Sequence, residues 1–259
     1  MQKQLILSIY FILKVTATFG QTVAEVKHVL KNKKFTAFMN LVQSETNKQH
    51  GVRFFKFQLR DITPSYKEGM FAFEKYIPND KNPSISSVYS YRIRIITTKK
   101  ELIFYEFNEE KNKKVAEHWK PYYNNIVAFK DPQHYEQLKL EFKKIFRTTP
   151  LESELFKRDI VYGETCIVGT EPRGRVYMKK LVDEFNKEKI LEWLKSVNTE
   201  KQIYAVEALL QLKDCGIALT QQEEEIINFI IAKEGSIETC GGCSYLQREI
   251  KEVVRQFKR

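Results

Sequence analysis

The sequence predicts an α+β protein: an N-terminal antiparallel sheet with packed helices, followed by an all-α antiparallel helical array. Three observations carry this. Between residues 86 and 107 apolar and polar side chains alternate with the period of a strand. From Met178 onward the apolar spacing becomes i, i+3, i+4, i+7, the stripe of an amphipathic helix. Charge and aromatic content also divide: residues 21–150 carry about +10 and 21 of the 33 Phe, Trp and Tyr, whereas residues 151–259 carry about −2. Such a split suggests two units with different tasks, each of ordinary domain size. At 42% hydrophobic residues the chain can build packed cores, which argues against disorder.

The first stretch, MQKQLILSIYFILKVTATFGQT, has Lys3 ahead of an apolar run over residues 5–13 and small residues around Gly20. That is the layout of a secretory signal peptide, and cleavage is expected near Gly20, with the mature chain starting at Gln21. The run is far shorter than the ~20 residues a membrane span needs, so no membrane span is expected after its removal. No cysteine follows it before Cys166, so a lipoprotein anchor is not expected. Removing Lys3 and Lys14 takes the net charge from +10 to +8.

The organisation predicted from these observations is a signal peptide over 1–20, a basic, aromatic-rich α+β unit over 21–150, a junction over 151–174 and a helical unit over 175–259. In the first unit, Thr22 with Glu25 fits a capping box. Val26, Val29, Leu30, Phe38, Leu41 and Val42 then mark a long helix, broken near Asn32. GVRFFKFQL, residues 51–59, is strand-like. IPNDKNPS, residues 77–84, is a loop by its Pro and Asn content. SSVYSYRIRIITTKKELIFYEFNEE predicts a hairpin with its turn at Thr98–Lys100. Tyr89, Tyr91, Ile93 and Ile95 share one face, and Ser90, Arg92 and Arg94 share the other. Asp131 is a good N-cap and Pro132 a good first residue for a helix whose stripe is Tyr135, Leu138, Phe142 and Ile145. A long helix leading into a meander resembles cystatin-like and nuclear-transport-factor-like sheets in element order.

In the second unit, Met178, Leu181, Val182 and Phe185 mark one helix, and Ile190, Trp193, Leu194 and Val197 the next. Thr199 with Gln202, Thr220 with Glu223 and Ser244 with Gln247 predict three capping boxes, and Gly216 a helix end. Over residues 175–257 this pattern resembles HEAT or armadillo helical repeats, with a plain helical bundle as the alternative.

Four cysteines occur, all after residue 165: Cys166, Cys215, Cys240 and Cys243. Cys240-Gly-Gly-Cys243 has the spacing of a redox motif, but a helical setting and two glycines are poor surroundings for one. Zinc would need a second Cys pair or a His pair at ligand spacing, and His28, His50, His118 and His134 all lie in the other half. A disulfide remains. If the helices alternate up and down, Cys166 and the 240–243 loop lie at one end. Cys166 can then pair with Cys240 or Cys243, or those two with each other, while Cys215 is read as a small buried hydrophobe.

Gly169 and Gly174 in CIVGTEPRGRVYM have phosphate-loop spacing, but Arg175 and Val176 stand where Lys and Ser/Thr are required, so the segment reads as a turn. No G-x-S-x-G or H-E-x-x-H occurs. His118 and His134 are the histidines with acids and aromatics nearby, and neither is singled out. The sequence therefore names no catalytic residue, metal ligand or cofactor. The remaining signal is the basic sheet face, with Arg92 and Arg94 together and Arg53 and Lys56 near in sequence, a pattern suited to an anionic ligand. An exported chain seldom meets nucleic acid, so the expected partners are an anionic glycan, a membrane surface or another envelope protein.

The signal-peptide style and the YGETC…GGC helical half resemble uncharacterised exported proteins of the Bacteroidetes type, a resemblance that implies export and no known activity. The expectation is an exported binding protein: the sheet unit contacts something acidic and the helical array contacts protein. Two enzymatic alternatives stay open. One is an envelope-polymer hydrolase using carboxylates of the sheet unit. The other is a thiol–disulfide protein using Cys240 and Cys243.

Overall fold

The computed structural model describes residues 23–47, 52–79, 82, 86–242 and 244–257; the signal peptide, the Thr22 cap and Cys243 lie outside them. Residues 23–31 form helix α1, followed by α2 (Phe35–Asn47). The predicted break near Asn32 is present. Lys33 adopts a left-handed φ of 57°, and the chain there pairs with the turn between two strands: Leu102 N donates to Lys33 O and Phe35 N to Lys100 O.

Five strands form one antiparallel meander in sequence order: β1 (Val52–Asp61), β2 (Lys67–Pro78), β3 (Ser86–Thr97), β4 (Leu102–Val115) and β5 (His118–Lys130). Helix α3 (Pro132–Phe146) follows, with the Asp131 side chain accepting from the backbone N–H groups of Gln133 and His134 and Pro132 in its first turn. Val26, Leu30, Phe38, Leu41 and Val42 of α1 and α2 cover one sheet face. Beneath them Phe54, Phe73, Tyr91 and Phe107 lie side by side across the strands, with Phe73 and Tyr91 stacked at 4.4 Å. Tyr91, Ile93 and Ile95 are buried as the alternation predicts, but Tyr89, near the start of β3, is 39% exposed.

The other face is covered at one end only. There Ile62, Met70, Ile96 and Ile103 join α3 and the C-terminal helices in a single core. A bulge in β1 makes this possible. Lys56 pairs with Phe71 and Gln58 with Met70, so Phe57 is an extra residue. One inserted residue reverses which face every later side chain takes. It aims Gln58 and Arg60 away from α1 and α2 and toward the C-terminal elements.

Those elements are α4 (Arg173–Asp183), α5 (Lys187–Leu194), α6 (Thr199–Asp214), α7 (Gln221–Ala232), strands β6 (Ser236–Gly241) and β7 (Ser244–Glu249), and α8 (Ile250–Val253). The predicted all-α array is thus interrupted by a hairpin. Ser244 and Gln247 open no helix; both are in β7, and the last helix starts at Ile250. A short chain segment beside a strand with free edge groups gains a full ladder of backbone hydrogen bonds by pairing. That outweighs the weak local preference for a cap.

Thr220 and Glu223 do form a reciprocal capping box. At α6 the cap is Asn198, whose side chain accepts from Lys201 N, while Gln202 is buried and donates to Ser196 O. Gly216 ends α6 at φ 90°. Phe185 is 58% exposed, because α4 stops at Asp183 and the chain turns there with φ 51°. Helix α6 is buried nearly all round and forms the centre of this half.

Sheet and helices are joined by a buried ionic strut. Arg60 donates through Nε to Glu68 and through Nη1 to Glu200, each at 2.7 Å, and all three side chains are almost fully buried. Glu68 also accepts from Phe156 N and Glu200 from Glu238 N. Beside them Lys233 donates to Gln202 at 2.7 Å. Gly235 lets β6 approach β1: a Cβ there would lie 2.2 Å from Leu59 O.

Candidate functional site

Arg92 and Arg94 occupy the half of the open sheet face that the helices leave uncovered. They line a cavity of about 400 Å³ together with Glu106, Asn108, Tyr123 and Arg158. The register explains the grouping. Arg94 pairs with Glu106, Arg92 with Asn108 and Asn108 with Asn125, so successive residues of β3, β4 and β5 on one face meet there. Met70 and Phe156 close the side toward the core. Phe156 and Arg158 belong to the junction segment, which the strut holds against the sheet through Phe156 N.

Each guanidinium is positioned by a carboxylate. Arg92 Nε donates to Glu110 at 2.6 Å, and Arg94 Nη1 lies 3.5 Å from Glu106. Arg158 makes a two-pronged pair with Glu238 at 2.7 and 3.2 Å. The ring of Phe57, the bulged residue, sits 4.9 Å from the Arg92 guanidinium and 4.3 Å from that of Arg158. A planar cation stacked on a ring keeps its edge free to donate. Arg94 has the longest ion pair of the three and is 42% exposed, so it holds the most available N–H groups. Glu106 is the carboxylate that lines the cavity. Glu110 lies four residues further along the same strand and is turned to Arg92.

Of the other predicted contacts, Arg53 lies on the same face, stacked 5.9 Å from the Phe55 ring, which in turn stacks on Phe57. Lys56 does not join them. It pairs with Phe71, a residue of the helix-covered face, and is exposed at the sheet edge. Sequence reasoning missed Arg158 and Tyr123. Arg158 comes from the junction, about a hundred residues from β1, and Tyr123 from a strand with no apolar alternation.

The predicted staple is present as Cys166–Cys240, with Cα atoms 5.1 Å apart and a sequence separation of 74. Cys240 lies in β6 rather than at a helix start, and its neighbours bind Tyr162: Cys240 N donates to Tyr162 O and Tyr162 N to Glu238 O. Cys215 is exposed at the C-cap of α6, not buried; the helix end turns its side chain to solvent. Arg175, the residue in the lysine position of the phosphate-loop spacing, is buried and bound to Glu207 at 2.7 Å. The same Glu207 accepts from Tyr162, and burial pushes the Tyr162 phenol well above its usual range. This cluster is internal and holds the 160s segment on α6.

His118 is exposed at the end of the β4–β5 hairpin, and His134 sits in the first turn of α3. Among the described residues no group of three or more His, Cys, Asp and Glu could hold a metal ion, and no helix is long and apolar enough to cross a membrane. Fold and cavity together define an α+β protein whose half-open antiparallel sheet presents an arginine-lined hollow. No family model, curated protein or solved structure matches the chain.

Proposed function

We propose that this is an exported binding protein that takes an acidic ligand, an anionic glycan, on the open face of its sheet. One observation carries the reading: three guanidiniums, those of Arg92, Arg94 and Arg158, converge with Tyr123 and Asn108 around one shallow cavity, two of them stacked on Phe57. Arginine suits planar carboxylates because its fork donates two parallel N–H bonds. Aromatic rings and an amide beside it suit the alternating apolar and hydroxyl surfaces of a sugar. The disulfide supports an oxidising compartment, where such bonds persist. The hydrolase alternative needs two converging carboxylates free to act, and here Glu106, Glu110 and Glu238 are each turned to a guanidinium. The thiol–disulfide alternative loses support because Cys240 is joined to Cys166.

The test is calorimetric titration with polygalacturonate. Binding is expected to weaken as salt rises, since exposed charges are screened over about 8 Å at physiological ionic strength. Arg92→Gln with Arg94→Gln should weaken it about tenfold or more, the loss of a charge-assisted hydrogen bond. Binding indifferent to salt, or unchanged in the double variant, refutes the proposal.

A further inference from the structure

Beyond the Ser90–Glu110 pair the sheet divides into two hairpins, β2 and β3 staying paired to Pro78 and Ser86 and β4 and β5 to Val115 and His118. Directly paired residues share a face, and so do residues two apart along a strand. The cavity face therefore continues outward through the pairs Asn108–Asn125, Glu110–Tyr123, Asn112–Pro121 and Lys114–Trp119. Tyr123 is 48% exposed and Trp119 is 70% exposed.

The spacing repeats. Tyr123 stands beside Arg92 and Arg94 at the cavity, and Trp119 stands beside Lys114 four residues further along. At the rise of a strand, four residues separate the two rings by about 13 Å. Each station thus combines an exposed ring with a cation on the same face. A ring and a cation repeated along a line match a linear polymer that presents a flat sugar face and a carboxylate at intervals. A single acidic sugar would fill the cavity and leave Trp119 and Lys114 unused.

We infer that the ligand is an acidic oligosaccharide that lies along β4 and β5, with Trp119 and Lys114 forming a second subsite beyond the arginine cavity. This rests on the reading of the cavity as an anionic-glycan site, and it adds the ligand's length and direction. The neighbouring lysines on the opposite face, Lys113 and Lys120, pair with one another and raise the local concentration of a polyanion without touching this line.

Oligogalacturonates of two, four and six units separate the possibilities, with affinity measured by calorimetry and binding also followed by tryptophan fluorescence. Affinity is expected to rise with length. Trp119→Ala should weaken the hexamer about two- to tenfold, an aromatic contact's worth, and leave the dimer unchanged. Arg92→Gln with Arg94→Gln should weaken every length. Trp193 lies in α5, packed against Tyr177 and Tyr204, so a hexamer-specific fluorescence change that disappears in Trp119→Ala reports the arm directly. Equal affinity for dimer and hexamer overturns the second subsite and leaves the cavity reading standing, as does a hexamer that binds Trp119→Ala as tightly as the native protein. No binding at any length overturns both.

Discussion

Replacing Arg60 by methionine tests what holds the sheet to the helices. The side chain is fully buried, and its guanidinium is the shared partner of Glu68 and Glu200 at 2.7 Å each. Methionine keeps much of the volume and removes the charge, leaving two buried carboxylates facing one another. Breaking a buried pair from one side costs about 3–5 kcal/mol, because the uncompensated charge stays in a low-dielectric site. With two carboxylates orphaned, the upper part of that range is expected, a large share of a typical stability of about 5–15 kcal/mol. The second half of the test is rescue. In the triple variant Arg60→Met, Glu68→Gln, Glu200→Gln the charges are gone, yet each amide oxygen can still accept from Phe156 N or Glu238 N. Most of the lost stability should return. The assay is urea unfolding followed by fluorescence and circular dichroism. A loss below about 1 kcal/mol for Arg60→Met, or a triple variant no more stable than the single one, refutes the strut as described.

Burial lowers the Lys233 pKa to about 7, with the nearby Arg60 charge adding to the effect. Between about pH 7 and 10.4 the unfolded lysine holds a proton that the folded one lacks. This group's contribution to stability therefore rises with pH across that window, by up to about 1.4 kcal/mol per unit, and is lost as pH falls back through it. The stability difference between native protein and Lys233→Met should show that slope; a difference flat in pH contradicts it. Cys166→Ser opens a loop of 74 residues and should lower stability by about 4 kcal/mol in the chain-entropy model. It should also make unfolding insensitive to reductant, and alkylation of both Cys166 and Cys240 in the unreduced native protein would exclude the bond. Gly235→Ala combines a φ of 105° with a Cβ 2.2 Å from Leu59 O and should destabilise by several kcal/mol; a midpoint within error of native would show that β6 can move away from β1. Trp119→Ala, at an exposed position, should shift stability by less than about 0.5 kcal/mol, and a larger loss would mean that the arm is packed.

What could be read in advance were the elements whose signals are local. The β3–β4 hairpin shows because its faces differ, Tyr91, Ile93 and Ile95 inward and Arg92 and Arg94 outward. Helix α3 shows because Asp131 and Pro132 mark its start. Strands β2 and β5 stayed invisible for opposite reasons. In β2, Met70, Phe71, Ala72 and Phe73 are buried on both faces, so no alternation is left to see. In β5, residues 118–121 are exposed on both faces and include Pro121, which an edge strand tolerates. The β7 segment carried a helix-start pattern that a neighbouring strand overrode.

The sequence by itself determined the α+β class, the basic face with Arg92 and Arg94, and the possibility of a bond from Cys166 to the 240–243 segment. Each depends on side-chain spacing within a few residues or on a count. The tertiary structure decided that Cys240 is the partner, that Arg158 completes the cavity with Phe57 stacked against it, and that Trp119 lies in line with it. Those depend on the register of β4 and β5, on a single-residue bulge at Phe57 and on contacts between positions 74 to about a hundred residues apart. A bulge has no compositional mark, and the energy of a distant contact exists only once the chain between the two positions has folded.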